Sequence, residues 1–168
     1  MAIAESGRPI APGDCFTKAL DLLSRRPHFR RELEMKLRKR GFGPEQVESA
    51  LDRATERGFL DDAQCARDFA RVRVERRHDG PAKLFAALSR RGAAADVARE
   101  AVAEQFADGE SELLERAARR WLSVHEWDRD RLARHLDRKG FSKGEIFSAL
   151  GRLTSEGSYP GPAVEEVS

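Results

Sequence analysis

Apolar residues recur along this chain at intervals of three and four, the period of a helix that buries one face. The clearest instance is an L-x3-L-x3-G pattern that occurs three times: Leu33, Leu37 and Gly41, then Leu84, Leu88 and Gly92, then Leu132, Leu136 and Gly140. The anchors are separated by 51 and then 48 residues. A period of this size marks stacked supersecondary units. Within each copy the two leucines share a helix face. The glycine four residues on stands where a left-handed helix end is expected, with cations just before it: Arg38, Lys39 and Arg40, Arg90 and Arg91, Arg138 and Lys139.

A second apolar stripe follows each glycine: Val47, Ala50 and Leu51; Val97, Ala101 and Val102; Ile146, Ala149 and Leu150. Gly43-Pro44, Asp96, and Ser142 with Glu145 mark the starts of these helices. A third amphipathic segment precedes each leucine pair, around Phe16 to Leu23, Ala66 to Val72 and Leu113 to Leu122. Asp61 and Asp62 are positioned to cap the middle one, Gly80-Pro81 to open the helix after it, and Pro27 to separate the first two helices. The pattern therefore predicts an all-α chain, an elongated tandem array of three three-helix repeats. The repeats span 14-59, 60-107 and 108-157, with loose tails at 1-13 and 158-168.

Composition supports the helical reading and limits the core. Charged residues make up 36% of the chain and apolar ones 40%. Much of the apolar share is Ala, so each helix contributes a narrow stripe and a deep enzyme cleft is not expected. No apolar stretch approaches a membrane span and residues 1-13 lack the core of a signal peptide, which predicts a cytoplasmic protein. Cys15 and Cys65 lack metal-site or redox spacing and read as buried free thiols.

Catalytic signatures are missing. His28, His78, His125 and His135 form no metal-binding pattern and read as exposed or capping side chains. Neither phosphate-binding glycine loop is present, and acidic pairs such as Asp61 and Asp62 or Glu165 and Glu166 are explained by a cap and a tail. The expectation is a protein that is not an enzyme and takes no cofactor and no metal.

Charge patterning is more informative than the net charge of +2. Residues 25-40 carry eight Lys and Arg against two acids, and 67-91 carry eight against three. Residues 94-115 reverse to seven acids and one Arg, and 116-143 return to nine basic residues against four acids. For any single arginine, a solvated surface is the simpler reading. Taken together, such segregation suits the recognition of a charged polymer or a charged protein groove. Arg73, Arg76, Arg77, Lys83, Arg90 and Arg91 are the leading contact candidates, as one basic face of the middle repeat. Arg30, Arg31, Lys36, Arg38, Lys39 and Arg40 form a secondary patch. Phosphate or carboxylate would satisfy either.

The segment Gly58-Phe59-Leu60-Asp61-Asp62, followed by Ala66, Phe69, Ala70 and Arg73, then Gly80-Pro81, Leu88 and Arg91-Gly92, resembles the central motif of the RecX family, regulators of the RecA recombinase. The resemblance covers about 14-157. It departs at Cys65, where an aromatic residue is common, and at Ala93, where an aliphatic one usually follows the glycine. What it implies is a non-enzymatic modulator, commonly an inhibitor, lodged in the groove of the RecA-DNA filament. Such a protein would limit strand exchange, ATP hydrolysis and LexA cleavage in DNA repair and the SOS response, contacting DNA within the filament. Apart from the resemblance, the alternating charges leave no self-complementary apolar patch, which predicts a monomer. A different class of function, a stand-alone helical DNA-binding protein working through its basic faces, fits the charge pattern and requires tight, salt-sensitive binding to naked DNA.

Overall fold

A computed structural model describes residues 14–155. The expected tails, the last residues of the third repeat and the Glu165-Glu166 pair lie outside them. Among the described residues there are nine helices and no strand: α1 (Asp14–Arg25), α2 (Arg30–Arg38), α3 (Pro44–Glu56), α4 (Asp62–Arg77), α5 (Pro81–Arg91), α6 (Ala95–Gln105), α7 (Ser111–Leu122), α8 (Arg129–Lys139) and α9 (Lys143–Ser155). No described helix is long and apolar enough to cross a membrane.

The recurring leucine-glycine pattern is a helix-termination device. After α2, the Gly41 N–H donates to Arg38 O (2.9 Å) and the Phe42 N–H to Leu37 O (3.4 Å). After α5, Gly92 donates to Ser89 O and Ala93 to Leu88 O; after α8, Gly140 donates to Asp137 O and Phe141 to Leu136 O. This pair of bonds is the Schellman motif, which needs a left-handed residue between the donors. The three glycines adopt φ of 88°, 105° and 86°. The second leucine of each copy thus buries its side chain and accepts the outer bond with its carbonyl, and Leu37, Leu88 and Leu136 are fully buried.

The chain divides into two compact units, whose boundaries fall inside α4, α5 and α6. The first takes the residues up to Phe69 and Ala87–Ala101. In it α1, α2 and α3 pack on one another around Phe16, Ala19, Leu22, Leu33, Leu37, Val47, Leu51, Ala54 and Leu60. Burying each leucine stabilises by roughly 1.5–3 kcal/mol. Asp61 caps α4 by accepting from the Gln64 N–H (2.9 Å). Its neighbour Asp62, expected to cap the same helix, accepts instead from the Arg30 N–H at 2.7 Å. It therefore satisfies a free donor at the start of α2, a partner 32 residues away that no local rule could supply.

The second unit takes Ala70–Ala86 and the residues from Val102 onward. Leu113, Leu114, Ala117, Ala118 and Trp121 of α7 pack with Leu132 and Leu136 of α8, Phe141, and Ile146, Ala149, Leu150 and Leu153 of α9. The start of α5 is set against the end of α8: the Gly80 N–H donates to Lys139 O (2.7 Å) and Ala82 to Gly140 O (3.1 Å). The orphan donors of one helix thereby satisfy the orphan acceptors of another. The approach is close enough that a Cβ on Gly80 would lie 2.7 Å from the Gly140 backbone. Both cysteines are buried free thiols, as expected. Burial pushes each thiol up to about 11, so neither is a thiolate at neutral pH.

Candidate anion-binding surfaces

In the second unit, the last turns of α4 carry Arg73, Arg76 and Arg77, and α5 begins with Lys83 on its first turn. Between them lies Asp79, only 1% exposed. Arg73 Nη2 meets its carboxylate at 2.5 Å, and Lys83 Nζ lies 3.5 Å away. Two of the candidate contact residues therefore hold a buried carboxylate in place. Arg76 and Arg77 are exposed, and among the described residues no carboxylate lies within ion-pair distance of either.

Arg76, Arg77 and Lys83 open onto a cleft of about 510 Å³ whose other walls come from α7, α8 and the segment between them: Arg120, Trp121, His125, His135 and Lys139, with His78 between α4 and α5. Trp121 and His125 stack with centroids 4.3 Å apart and planes 1° from parallel, and the His125 Nδ1–H donates to Trp121 O at 2.9 Å. His78 has a left-handed backbone, with φ of 50°. Burial pushes the His78 imidazole below its ordinary value, and Arg116, Lys139 and Arg120 push it further; burial followed by Lys139 and Arg138 does the same to His135. Burial also lowers the Lys139 ammonium. The sequence reading missed the α7 and α8 contributions. Two signals pointed there: the basic excess over residues 116-143, and the cation that precedes Gly140 at the same place as Arg91 before Gly92.

Arg90 and Arg91 belong to the first unit. Arg90 is exposed. Arg91 turns to the start of α2, its Nη2 donating to Pro27 O just before that helix (2.8 Å) and its Nε lying 3.6 Å from Glu32, while its guanidinium stands 4.8 Å from the centre of the Phe69 ring of α4. Glu32 also takes Arg26 and Lys36 (2.9 Å). Burial alone would raise this carboxyl, but the hydrogen bonds from Arg26 and Lys36 outweigh it and hold Glu32 down at about 2.

His28 is 3% exposed, which corrects the expectation of exposure at that histidine, whereas His125 is exposed and bonds the Trp121 carbonyl at the end of α7. The His28 Nδ1–H donates to Arg26 O (2.8 Å), leaving Nε2 to accept from Lys36 Nζ (2.8 Å). That arrangement requires the neutral ring, and burial lowers its pKa accordingly.

The secondary patch is largely neutralised from within. Arg30 bridges Glu48 and Asp52, both at 2.7 Å, Lys36 pairs with Glu32, and Arg38 pairs with Glu34. Arg40 donates to Lys36 O. Arg31 and Lys39 are exposed. Of the central motif, Gly58 and Gly92 are left-handed at φ 72° and 105°, Leu60 and Leu88 are buried, Gly80 sits at a close backbone approach, and Phe59 is 53% exposed. No group of His, Cys, Asp and Glu among the described residues could hold a metal ion.

Comparison with known proteins gives these features a relation. A family model described as "RecX, first three-helix domain" matches residues 15–53. The chain is 38% identical over 135 residues to a regulatory protein RecX of Pseudomonas fluorescens, covering 79% of this chain and 86% of that one. It is 35% identical to a counterpart from Pelodictyon phaeoclathratiforme, covering 88% and 93%. The crystal structure of RecX from Lactobacillus salivarius superposes with a TM-score of 0.74 at 21% identity, covering 86% of this chain and 97% of that one, which establishes the shared fold. With relatives this similar over most of their length, the chain belongs to the RecX family of regulatory proteins.

Proposed function

We propose that this protein is a non-catalytic regulator of the RecA recombinase, binding the RecA-DNA filament in its groove and restraining strand exchange, ATP hydrolysis and LexA cleavage. The observation that carries the reading is its similarity to regulatory RecX proteins over most of their length. The charge arrangement supplies a physical means: exposed Arg76, Arg77 and Arg90 are free to meet filament acids or DNA phosphates, whereas Arg73, Lys83 and Arg91 are held by Asp79 and Glu32. Working within the filament, the protein is cytoplasmic and acts as a monomer.

The test is DNA-dependent ATP hydrolysis by RecA with increasing amounts of this protein. Inhibition is expected, and it should weaken about tenfold or more for the double variant Arg76→Glu, Arg77→Glu, since exposed charges opposite a charged partner govern encounter and register. Arg73 is unsuitable for reversal, because a glutamate there would face buried Asp79. Unchanged hydrolysis and strand exchange at saturating protein would remove the regulatory reading. Inhibition that the double variant leaves intact would move the contact elsewhere.

A further inference from the structure

The cleft of the second unit has a property that filament regulation does not require. Five cationic side chains, Arg76, Arg77, Lys83, Arg120 and Lys139, line it against one carboxylate, Asp79, and Lys139 Nζ also donates to the Arg77 carbonyl. That carboxylate is buried and already engaged by Arg73 and Lys83. Arg76 and Arg77 come from α4, Arg120 from α7, and none of the three has a carboxylate within ion-pair distance among the described residues. Like charges from separate helices repel where they converge, unless something of opposite sign joins them. Two half-buried imidazoles, His78 and His135, add ring nitrogens to the same concavity. His78 does so from a left-handed backbone, a conformation that side chains other than glycine adopt at a cost and that clusters at ligand sites.

We propose that this cleft is a binding site for a phosphate group, carried either by a small phosphate compound or by a nucleic-acid strand. The cationic side chains approach from four directions: α4, the start of α5, α7 and α8. A phosphate offers three or four acceptor oxygens spread around a centre, while a carboxylate offers two in one plane; guanidinium forks arranged around a concavity match the former. For a strand phosphate the inference deepens the regulatory reading and rests on it, while for a small phosphate compound it goes beyond that reading; its test uses no recombinase, so the two can fail separately.

The experiment is calorimetric titration of the full chain with inorganic phosphate at constant ionic strength held with chloride, alongside proton NMR of the imidazole resonances. Saturable one-site binding is expected. The His78 and His135 resonances should shift, and their titration midpoints should rise, because an anion offsets the burial and the Arg116, Arg120, Lys139, Arg138 and Lys83 charges that hold them low against the weaker pull of Asp79. His28, buried in the first unit, is the internal control and should not move. Arg77→Ala and Arg120→Ala should each weaken binding about tenfold, the effect of losing one charge-assisted hydrogen bond. Arg119→Ala, exposed and paired with Glu115 outside the cleft, should not.

A second arm uses oligothymidylate with and without a 5′-phosphate. Tighter binding than inorganic phosphate, with competition between the two, assigns the site to a strand; equal or weaker binding assigns it to small phosphate compounds. Either result supports the site. Phosphate that does no better than chloride would overturn it, as would binding that survives in both cleft variants, or a poly-glutamate peptide that occupies the cleft when phosphate does not.

Discussion

Glu32 illustrates how one side chain carries more than its sequence context announces. It stands among Arg26, Lys36 and Arg91, with His28 Nε2 3.9 Å away, and its own side chain is 13% exposed. Glu32→Gln keeps the shape and removes the charge, leaving three cations crowded without their counter-ion. Breaking a largely buried ion pair from one side is costly. A loss of roughly 2 kcal/mol is expected at pH 7, read from the urea midpoint. The deficit should shrink on acidification, because a carboxylate held at about 2 in the fold contributes stability above the unfolded value of 4.5 and loses it as pH falls from 4.5 toward 2. A variant within 0.5 kcal/mol of wild type at pH 7 would mean that the cations relax into solvent without cost.

At the scale of helices, much of the fold was legible in the sequence because the decisive signals are local. Two leucines on one face, a glycine four residues on and an apolar residue after it state a whole helix end, and the three copies form the same two hydrogen bonds. Pro44 and Pro81 likewise begin α3 and α5 as expected. The misses are tertiary. Asp62 looks like a cap for α4 but serves α2, and His28 reads as exposed or capping but lies buried, accepting from Lys36 of α2. The candidate site was half legible for the same reason: the α4 and α5 arginines are adjacent in sequence, whereas Arg120, His135 and Lys139 join Arg76 and Arg77 only after folding.

The glycines permit a test at this scale. Gly58 and Gly140 are both left-handed, at φ 72° and 86°, but a Cβ on Gly58 would meet nothing within 4 Å while one on Gly140 would lie 2.7 Å from Lys83 Cβ. Gly58→Ala should cost about 1 kcal/mol, the backbone strain alone. Gly140→Ala should cost about 2–4 kcal/mol, because the start of α5 must also give way. Equal losses in thermal or urea unfolding would show that the close approach of α5 to α8 adds nothing to the strain.

Across the whole molecule, each compact unit holds imidazoles whose neutral form the fold prefers: His28 in the first, His78 and His135 in the second. Burial is the leading cause in all three, and the neighbouring cations add to it. A folded-state value below the unfolded 6.5 means that the unfolded chain binds protons first as pH falls. The stability from keeping these rings neutral is fully present above about pH 6.5 and drains away as pH drops below it. The thermal midpoint should therefore decline from pH 7 to pH 5, a range in which Glu32 adds slope only near the acid end because its unfolded value is 4.5. His28→Asn retains a donor for Arg26 O and removes the titration. It should lower the midpoint at pH 7, through the lost bond from Lys36, yet flatten the decline toward pH 5. Phosphate, if the cleft holds it, should act on the remaining slope: by drawing protons onto His78 and His135 in the folded state it brings their values back toward 6.5. A decline equally steep in wild type, in His28→Asn and in phosphate would mean that none of these rings governs the acid sensitivity of the fold.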